Sequence, residues 1–406
     1  MQRAINGHSR VRMSTKKTDR LLLTVAFLLI GLAWFLGATR EEADLAPYLA
    51  KTLPQAERIE YFTNSTYKAF SANDSLLAYI TIKSAFGYGG PLNTAVAVNL
   101  KGEVIGCEVV STKETPSYID KVLASPLQKS LHKKLYTDAF KLNEDIDGVS
   151  GATFTARALA GSTKRGVRYV SVKFLKLPKP PESGFHIQFG MIEMILVLLF
   201  GMGYVGQSKT FKYKKHIRWL TMLTGLIFLG FIYNQPFTLS HVSQLLLGYF
   251  PDFESHIFWY LLLGGMFFVF TVDNKNPYCQ WFCPFGAAQE CIGVIGGAKN
   301  RPMGRYTNFL KWMQRILTLS AILLALYFRN PGLTSFEVFG TLFSLTGSNY
   351  QFAVLGIVLI TSLFIKRPWC KYLCPLKPPM DAYSNLRKWV IEFWKKKRQR
   401  SVAQAR

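Results

Sequence analysis

The sequence has 406 residues, of which 49% are hydrophobic, and its formal net charge at pH 7 is +25. A soluble chain this basic is expected to bind nucleic acid. The apolar residues occur in long blocks, however, so a simple soluble domain is excluded and the charge has to be interpreted after the hydropathy.

Six apolar blocks reach or approach the roughly 20 residues that a helix needs to cross a hydrocarbon core about 30 Å thick. The blocks are residues 21–38, 188–206, 217–234, 256–272, 314–328 and 352–366. The fifth block is the shortest and needs flanking residues to span. The pattern predicts a membrane protein with an α-helical bundle of six transmembrane helices, five of which lie within residues 188–406.

The basic residues predict the orientation of this bundle. Lys and Arg are concentrated in four segments, which are 1–20, 207–218, 272–315 and 366–406. The connections 235–255 and 329–351 together hold one basic residue, Arg329. Because cytoplasmic segments carry the excess of Lys and Arg, we expect both termini in the cytoplasm of a bacterium, with the run 395–400 against anionic membrane lipid. This topology accounts for the charge and argues against a nucleic-acid partner.

The first apolar block, 21–38, is predicted to be an anchor that stays on the protein. It is long for the apolar region of a signal peptide, and no A-x-A cleavage site follows it. Residues 41–187 then form an extracytoplasmic domain that is long enough for its own core.

Within this outer domain the pattern is α+β. Segments that alternate or are rich in β-branched residues predict strands at 76–85, 93–100 and 103–112. Residues 125–136 have helical spacing, and so does the stretch from Thr153 to about Gly166.

The segment DGVSGATFTAR, residues 147–157, places small residues directly before the second predicted helix. Small side chains bury little surface, whereas they let a ligand approach the backbone closely. Thr153 falls in the first helical turn, where free N–H groups and the helix dipole favour a phosphate. An ordinary N-cap is the alternative explanation for this pattern.

Two further segments change the balance between these explanations. FGYGGPLNTAVAV, residues 86–98, is a glycine-rich turn leading into a strand, and KETPSY, residues 113–118, follows the next strand. GYGGPL, ETP and DGVSGAT resemble, in this order, the FMN-binding domain in the C subunit of Na+-translocating NADH:quinone reductase and in the G subunit of the Rnf complex.

This resemblance implies a cofactor and its attachment. In that family a flavin transferase joins the FMN phosphate to a threonine hydroxyl as a phosphoester, which assigns the covalent attachment to Thr153. The other implied flavin-site residues are Asp147, Ser150, Gly151 and Ala152 in the attachment motif, and Tyr88, Gly89, Gly90, Glu114 and Thr115 in the contact segments. We expect the glycines to admit the flavin ring and Tyr88 to stack on it.

The second half carries two C-x3-C-P motifs, CQWFCPFG at 279–286 and CKYLCPLK at 370–377. They end two similar units, residues 216–284 and 313–375, each with two spans joined by a proline-containing external connection. A parallel duplication of this kind allows two half-sites to face one another across a pseudo-twofold axis.

Cysteines at i and i+4 share one face of a helix, so two such faces present four thiolates. These are Cys279, Cys283, Cys370 and Cys374. A reducing cytoplasm disfavours disulfides. Four thiolates suit a [2Fe–2S] cluster, a [4Fe–4S] cluster or Zn²⁺, and proline after the last cysteine is common in ferredoxins. The alternative is two unliganded cysteine pairs that end in helix-stopping prolines.

Over nearly its full length the chain resembles the polytopic flavoproteins of the NosR/NirI type, in the short form that accompanies reductive dehalogenases. The resemblance implies an electron-transfer component of an oxidoreductase system in the cytoplasmic membrane. Electrons are expected to pass from quinol or a cytoplasmic donor through FMN to an extracytoplasmic reductase. A redox-sensing regulatory or maturation factor is the alternative.

One difficulty accompanies this interpretation. The expected topology separates the cysteine motifs from the FMN by about 30 Å of hydrocarbon. The sequence shows no chain of cofactors between the two sites.

Overall fold

A computed structural model describes residues 2–40, 44–181, 189–207, 212–273, 276–300 and 304–404. Both predicted ends of the outer domain, at 41–43 and 182–188, lie outside these residues, as do basic positions within 208–211, 274–275 and 301–303. The helices in the described ranges are α1 (Gln2–Ala38), α2 (Ala46–Thr52), α3 (Pro116–Leu123), α4 (Leu127–Ser130), α5 (Thr153–Lys173), α6 (Met191–Gly206), α7 (Lys214–Thr224), α8 (Leu239–Leu247), α9 (Ile257–Asp273), α10 (Pro284–Ile295), α11 (Tyr306–Tyr327), α12 (Phe339–Phe343), α13 (Asn349–Ser362), α14 (Pro368–Tyr372) and α15 (Lys377–Gln404).

The outer domain is built on an antiparallel meander of five strands in the order β1 to β5. The strands are β1 (Arg58–Thr63), β2 (Thr66–Phe70), β3 (Leu76–Phe86), β4 (Pro91–Asn99) and β5 (Val104–Thr112). The last three coincide with the predicted strands, and α5 packs across β3 and β4. The prediction of an α+β outer domain is therefore confirmed, with β1 and β2 as additional strands.

Helix α5 continues to Lys173, well beyond the end predicted near Gly166. A Cβ on Gly166 would lie 2.9 Å from Val96 Cγ2 and 3.4 Å from Thr81 Cγ2. Gly166 therefore lets α5 pack close to the sheet, and the helix does not end there.

The helix predicted over residues 125–136 is mostly wrong, because only α4 forms there. Lys133 has a φ of +63°. Its N–H donates to Val104 O at 2.8 Å, and the Val104 N–H donates to Lys134 O at 2.9 Å. The segment leaves helical geometry to pair beside β5, which hydrophobic periodicity does not reveal.

Helices occur at all six predicted spans. Arg20–Ala38 and Tyr306–Tyr327 are long and apolar enough to cross a membrane, whereas α6, α9 and α13 are shorter. Helix α7 continues into a π-helix, Gly225–Ile232. Together the two helices cover most of the third block. The extension of α11 to Tyr306 supplies the flanking residues that the fifth block needs. These lengths alone do not confirm a bundle of six spans.

The two external connections fold back against the cysteine motifs. Residues 235–255 contain α8, and residues 329–351 contain a 3₁₀-helix, Pro331–Thr334, followed by α12. One buried apolar cluster joins aromatic residues of these connections to the aromatic residues that precede Cys279 and Cys370. Those aromatic residues are Phe237, Phe339, Tyr278 and Trp369.

Candidate cofactor sites

Thr153 begins α5, and its side chain is exposed. The N-cap residue is Ala152, which is buried and provides no side-chain cap, so the first N–H groups of the helix have no side-chain acceptor there. An accessible hydroxyl beside uncapped N–H groups is the arrangement that a phosphate needs. Asp147 and Ser150 are exposed in the loop that precedes the helix.

The turn before Thr153 requires a glycine and has a cation beside it. Gly151 has a φ of +74°, in the left-handed region that favours glycine. Lys121 Nζ lies 3.5 Å from Thr346 Oγ1 and would lie 3.0 Å from a Cβ on Gly151. A lysine ammonium next to the attachment loop suits a phosphate.

Glu114 connects the three flavin motifs. Its side chain is 2% exposed. The carboxylate accepts the Gly89 N–H at 3.1 and 3.2 Å and the Thr155 hydroxyl at 3.0 Å. Burial raises the pKa of Glu114 to about 7, although these hydrogen bonds oppose the shift. The carboxylate thereby holds the glycine-rich turn, the ETP segment and the start of α5 together.

The glycines of the GYGG turn pack against protein atoms. A Cβ on Gly87 would lie 1.9 Å from the Glu114 carboxylate, and one on Gly89 would lie 2.9 Å from the Thr115 nitrogen. Gly90 is similarly crowded. These contacts explain the glycines within the domain, and their contact with a flavin ring stays a prediction.

A cavity of about 510 Å³ lies between the β-sheet domain and the helices of the second half of the chain. Tyr88, Phe154 and Arg157 line it from the outer domain, opposite aromatic residues that include Phe258 and Trp259. Phe154 directly follows Thr153, so a group on that hydroxyl would stand beside the cavity. The volume falls within the range of about 300–1,000 Å³ that is typical of cofactor sites. The residues present therefore fit a flavin.

Hydrogen bonds join the flavin-contact segments to both long connections, residues 235–255 and 329–351. Tyr88 Oη donates to Pro236 O at 2.9 Å, and Gln244 Nε2 donates to Tyr88 O at 3.0 Å. Toward the second repeat, Thr115 Oγ1 lies 3.1 Å from Ser335 Oγ. The cavity is thus bounded by elements of the outer domain and of the membrane part together.

The two cysteine motifs form the same turn. The Cys283 N–H donates to Tyr278 O at 2.7 Å, and the Cys374 N–H donates to Trp369 O at 2.8 Å. In each motif the helix ends before the second cysteine, because a residue that precedes proline is disfavoured in helical conformation. The expectation of a single helix face for each cysteine pair is therefore wrong.

The four motif cysteines nevertheless line one cavity, of about 330 Å³, and all are free thiols. The first cysteine of each motif accepts a side-chain hydrogen bond. Cys279 Sγ accepts from Asn276 Nδ2 at 3.1 Å, and Cys370 Sγ accepts from Gln289 Nε2 at 3.4 Å. Such donors stabilise thiolates and tune the potential of a cluster.

Arg367 supplies positive charge beside these thiols. It donates to Cys279 O at 2.6 Å and pairs with Glu290 at 2.8 Å. Burial raises the pKa of the Cys370 thiol, and the Arg367 charge opposes that shift. A cation at this position offsets part of the negative charge that four thiolates bring.

Four cysteine sulfurs around one cavity are a donor set that suits an iron–sulfur cluster or a Zn²⁺ ion. Among the residues that the structure describes, no group of three or more His, Cys, Asp or Glu side chains is drawn together closely enough to hold a metal ion.

Comparison with known proteins assigns a family model to each site. The FMN-binding domain matches residues 87–168, and the 4Fe-4S binding domain matches residues 255–302 and 352–391. The first match contains Thr153, and the second contains the four motif cysteines.

Three relatives are similar to part of this chain. The putative electron transport protein YccM of Escherichia coli K12 is 31% identical over 32% of this chain and 40% of its own length. The G subunit of the ion-translocating oxidoreductase complex of Shewanella amazonensis is 32% identical over 26% of this chain and 53% of its own length. NirI of Paracoccus denitrificans is 25% identical over 48% of this chain and 30% of its own length. The chain thus spans about half or less of each of these curated relatives.

The two family matches indicate an FMN-binding domain and a 4Fe-4S binding domain in one chain. The resemblance to the NosR/NirI type, with an FMN domain similar to that of the G subunit of ion-translocating oxidoreductases, is confirmed.

The sequence patterns did not single out the aromatic residue that precedes the first cysteine of each motif. Pro-Tyr-Cys at 277–279 and Pro-Trp-Cys at 368–370 occupy equivalent places in the two repeats. This repetition is the sequence feature from which the aromatic residues could have been identified. Lys121 was missed as well, because a single lysine in a helix carries no pattern.

We predict that Glu114→Gln changes how stability depends on pH. The folded carboxyl has a pKa of about 7, against a usual value of 4.5, so the wild-type protein loses stability as the pH rises through this interval. Relative to the variant, the wild-type free energy of unfolding should fall by up to about 3 kcal/mol. Thermal unfolding of the full chain from pH 4.5 to 8 measures the difference.

Glu57→Gln removes an exposed carboxyl of the same domain and serves as the control. Its pH profile should run parallel to that of the wild type. A parallel profile for Glu114→Gln would contradict the assignment of a buried, proton-binding carboxyl.

Proposed function

We propose that this protein transfers electrons in the bacterial cytoplasmic membrane as a component of an oxidoreductase system. Electrons enter from quinol or from a cytoplasmic donor and leave through FMN to an extracytoplasmic reductase. The observation that carries the proposal is the cavity shared by the outer domain and the membrane part, beside the exposed Thr153.

FMN is held by a phosphoester to the Thr153 hydroxyl, which a flavin transferase makes. Asp147, Ser150, Gly151 and Ala152 form the attachment loop. The bond is a tether that leaves the flavin ring chemically unaltered and keeps it on the protein outside the cytoplasm. Bound FMN supplies the redox chemistry, and the chain supplies position and charge.

The flavin-contact segments orient the ring. The residues that we assign to this task are Tyr88, Gly89, Gly90, Glu114 and Thr115. Their hydrogen bonds to one another and to both external connections support the assignment, because they hold the cavity wall rigid.

Cys279, Cys283, Cys370 and Cys374 are the ligands of one iron–sulfur cluster between the two repeats. The shared cavity, the hydrogen bonds to the Cys279 and Cys370 sulfurs and the nearby Arg367 support this proposal. The cluster supplies a one-electron relay when it is bound.

The protein spans the membrane six times, with residues 1–20 and the end of the chain in the cytoplasm and residues 41–187 outside. The helices at all six apolar blocks and the asymmetry of Lys and Arg support this arrangement. Residues 188–406 then contain the repeats 216–284 and 313–375 and the basic helix α15, which lies near anionic lipid.

Thr153→Ala should abolish covalent flavin when the protein is produced together with a flavin transferase, because the variant lacks the hydroxyl that accepts the phosphate. Flavin fluorescence of the protein band after denaturing electrophoresis measures this. Thr137→Ala, which removes an exposed threonine hydroxyl outside the attachment loop, should remain fluorescent. A fluorescent Thr153→Ala band would show that the flavin is attached elsewhere.

Replacement of any one motif cysteine by serine should remove the cluster, since each supplies one of its four ligands. Iron and sulfide content of anaerobically purified protein, together with visible absorption, reports the loss. Cys291→Ser is the matched control, because Cys291 lies outside both motifs and should be dispensable. Full iron content in Cys279→Ser and Cys370→Ser would overturn the shared site.

Quinol should reduce the flavin of the loaded protein in lipid nanodiscs under anaerobic conditions, which is seen as bleaching of the flavin absorption. Bleaching by a reduced ferredoxin, but not by quinol, would assign the donor to the cytoplasm. If neither donor reduces the flavin, electron transfer is excluded and the regulatory or maturation role becomes the better interpretation.

A further inference from the structure

One peptide group connects the flavin-contact turn to the first cysteine motif. Tyr88 Oη donates to Pro236 O at 2.9 Å, and the Phe237 N–H donates to Tyr278 Oη at 2.7 Å. The carbonyl of Pro236 and the N–H of Phe237 belong to the same peptide bond. Two tyrosine side chains therefore meet on opposite sides of a single planar group, which we call the tyrosine–peptide bridge.

The bridge ends at the cysteine motif. Tyr278 directly precedes Cys279, and its carbonyl accepts the N–H of Cys283. The same residue thus contacts the peptide of the external connection through its side chain and both cysteines of the first motif through its backbone. Two tyrosine side chains and one peptide group therefore connect the flavin-contact turn to the first cysteine motif, a contact that the expected topology did not suggest.

The surroundings of the bridge are dry and aromatic. Tyr278 is 0% exposed and Phe237 is 1% exposed. The ring of Phe237 lies 5.7 Å from that of Tyr278 and 5.7 Å from that of His241, which in turn lies 5.5 Å from the Tyr88 ring. Burial in such surroundings strengthens the hydrogen bonds and fixes their geometry.

The second repeat lacks an equivalent hydrogen-bonded path. Trp369 occupies the place of Tyr278, and its ring lies 6.5 Å from Phe339 and 5.8 Å from Phe285. Its indole N–H is buried and has no hydrogen-bond partner among the described residues. Among the described residues, the Trp369 side chain therefore meets its neighbours through van der Waals contacts, which couple electronic states more weakly than hydrogen bonds and covalent bonds do.

We propose that the tyrosine–peptide bridge is the path of electron transfer between the cysteine cavity and the flavin cavity. This inference rests on the proposed function. One electron passes from the reduced iron–sulfur centre to the oxidised flavin, no bond is formed or broken, and both tyrosines keep their protons. Tyr278 and Tyr88 are positioning residues that shorten the gap between the two redox sites.

The test begins with the hydrogen bond itself. Tyr278→Phe keeps the ring and removes the acceptor of the Phe237 N–H. Hydrogen exchange of the segment 234–240, followed by mass spectrometry, should accelerate about tenfold at this amide in the full chain, whether or not cofactors are bound. Unchanged exchange would show that the bridge does not form in solution.

The second measurement is the rate at which electrons redistribute between iron–sulfur centre and flavin after rapid, partial reduction of the loaded protein. Tyr278→Phe should slow it, and Tyr278→Leu should slow it further, with iron content and flavin content unchanged. Tyr260→Phe is the matched control, because it removes another tyrosine-to-proline hydrogen bond, to Pro251 O at 2.6 Å, away from the bridge. It should keep the wild-type rate.

The outcomes separate this inference from the proposed function. Protein that carries flavin but no iron would overturn the function and the path together. Loaded protein in which Tyr278→Leu keeps the wild-type rate would overturn the path alone. The same holds if only Trp369→Phe slows the redistribution, since electrons would then cross through the second repeat.

Discussion

The burial of the Pro236–Phe237 peptide group is the constraint on which the arrangement of the two sites depends. A peptide in apolar surroundings must have both its C=O and its N–H paired, or the protein loses free energy of the order of 1–3 kcal/mol for each orphaned group. Here Tyr88 pairs the carbonyl and Tyr278 pairs the amide. The outer domain and the first cysteine motif are therefore fixed relative to one another because they satisfy the same buried group.

The duplication provides the frame for this contact. Both repeats place an aromatic residue, a cysteine and a Cys-Pro step in one turn, closed by the hydrogen bonds to Tyr278 O and Trp369 O. Prolines end the helices at equivalent points, so four thiols line a single cavity. The repeats differ where they meet the outer domain, since a tyrosine hydroxyl can bridge to a peptide and an indole in the second repeat does not.

The length of the apolar blocks predicted the positions of all six apolar helices, and the strand-like pattern of apolar and β-branched residues predicted β3, β4 and β5. Hydrophobic periodicity failed at Gly166 and at residues 125–136, where close helix–sheet approach and pairing beside β5 decide the geometry. The cysteines and Thr153 were accessible from motifs. Lys121 and Tyr278 were not identified, since their environment depends on contacts between residues more than 30 positions apart in the chain. The expected gap of about 30 Å between the two sites did not anticipate the contact of Tyr88 and Tyr278 with the Pro236–Phe237 peptide, because no local pattern shows that contact.

The separation of flavin and iron in the loaded protein tests the central claim most directly. Single-particle electron microscopy in lipid nanodiscs would locate both cofactors and the peptide between them. The account predicts iron at the four motif cysteines, the flavin ring beside Tyr88, and a separation clearly below the hydrocarbon thickness of about 30 Å. Cofactors separated by that thickness or more, with the connection 235–255 outside the membrane part, would contradict it.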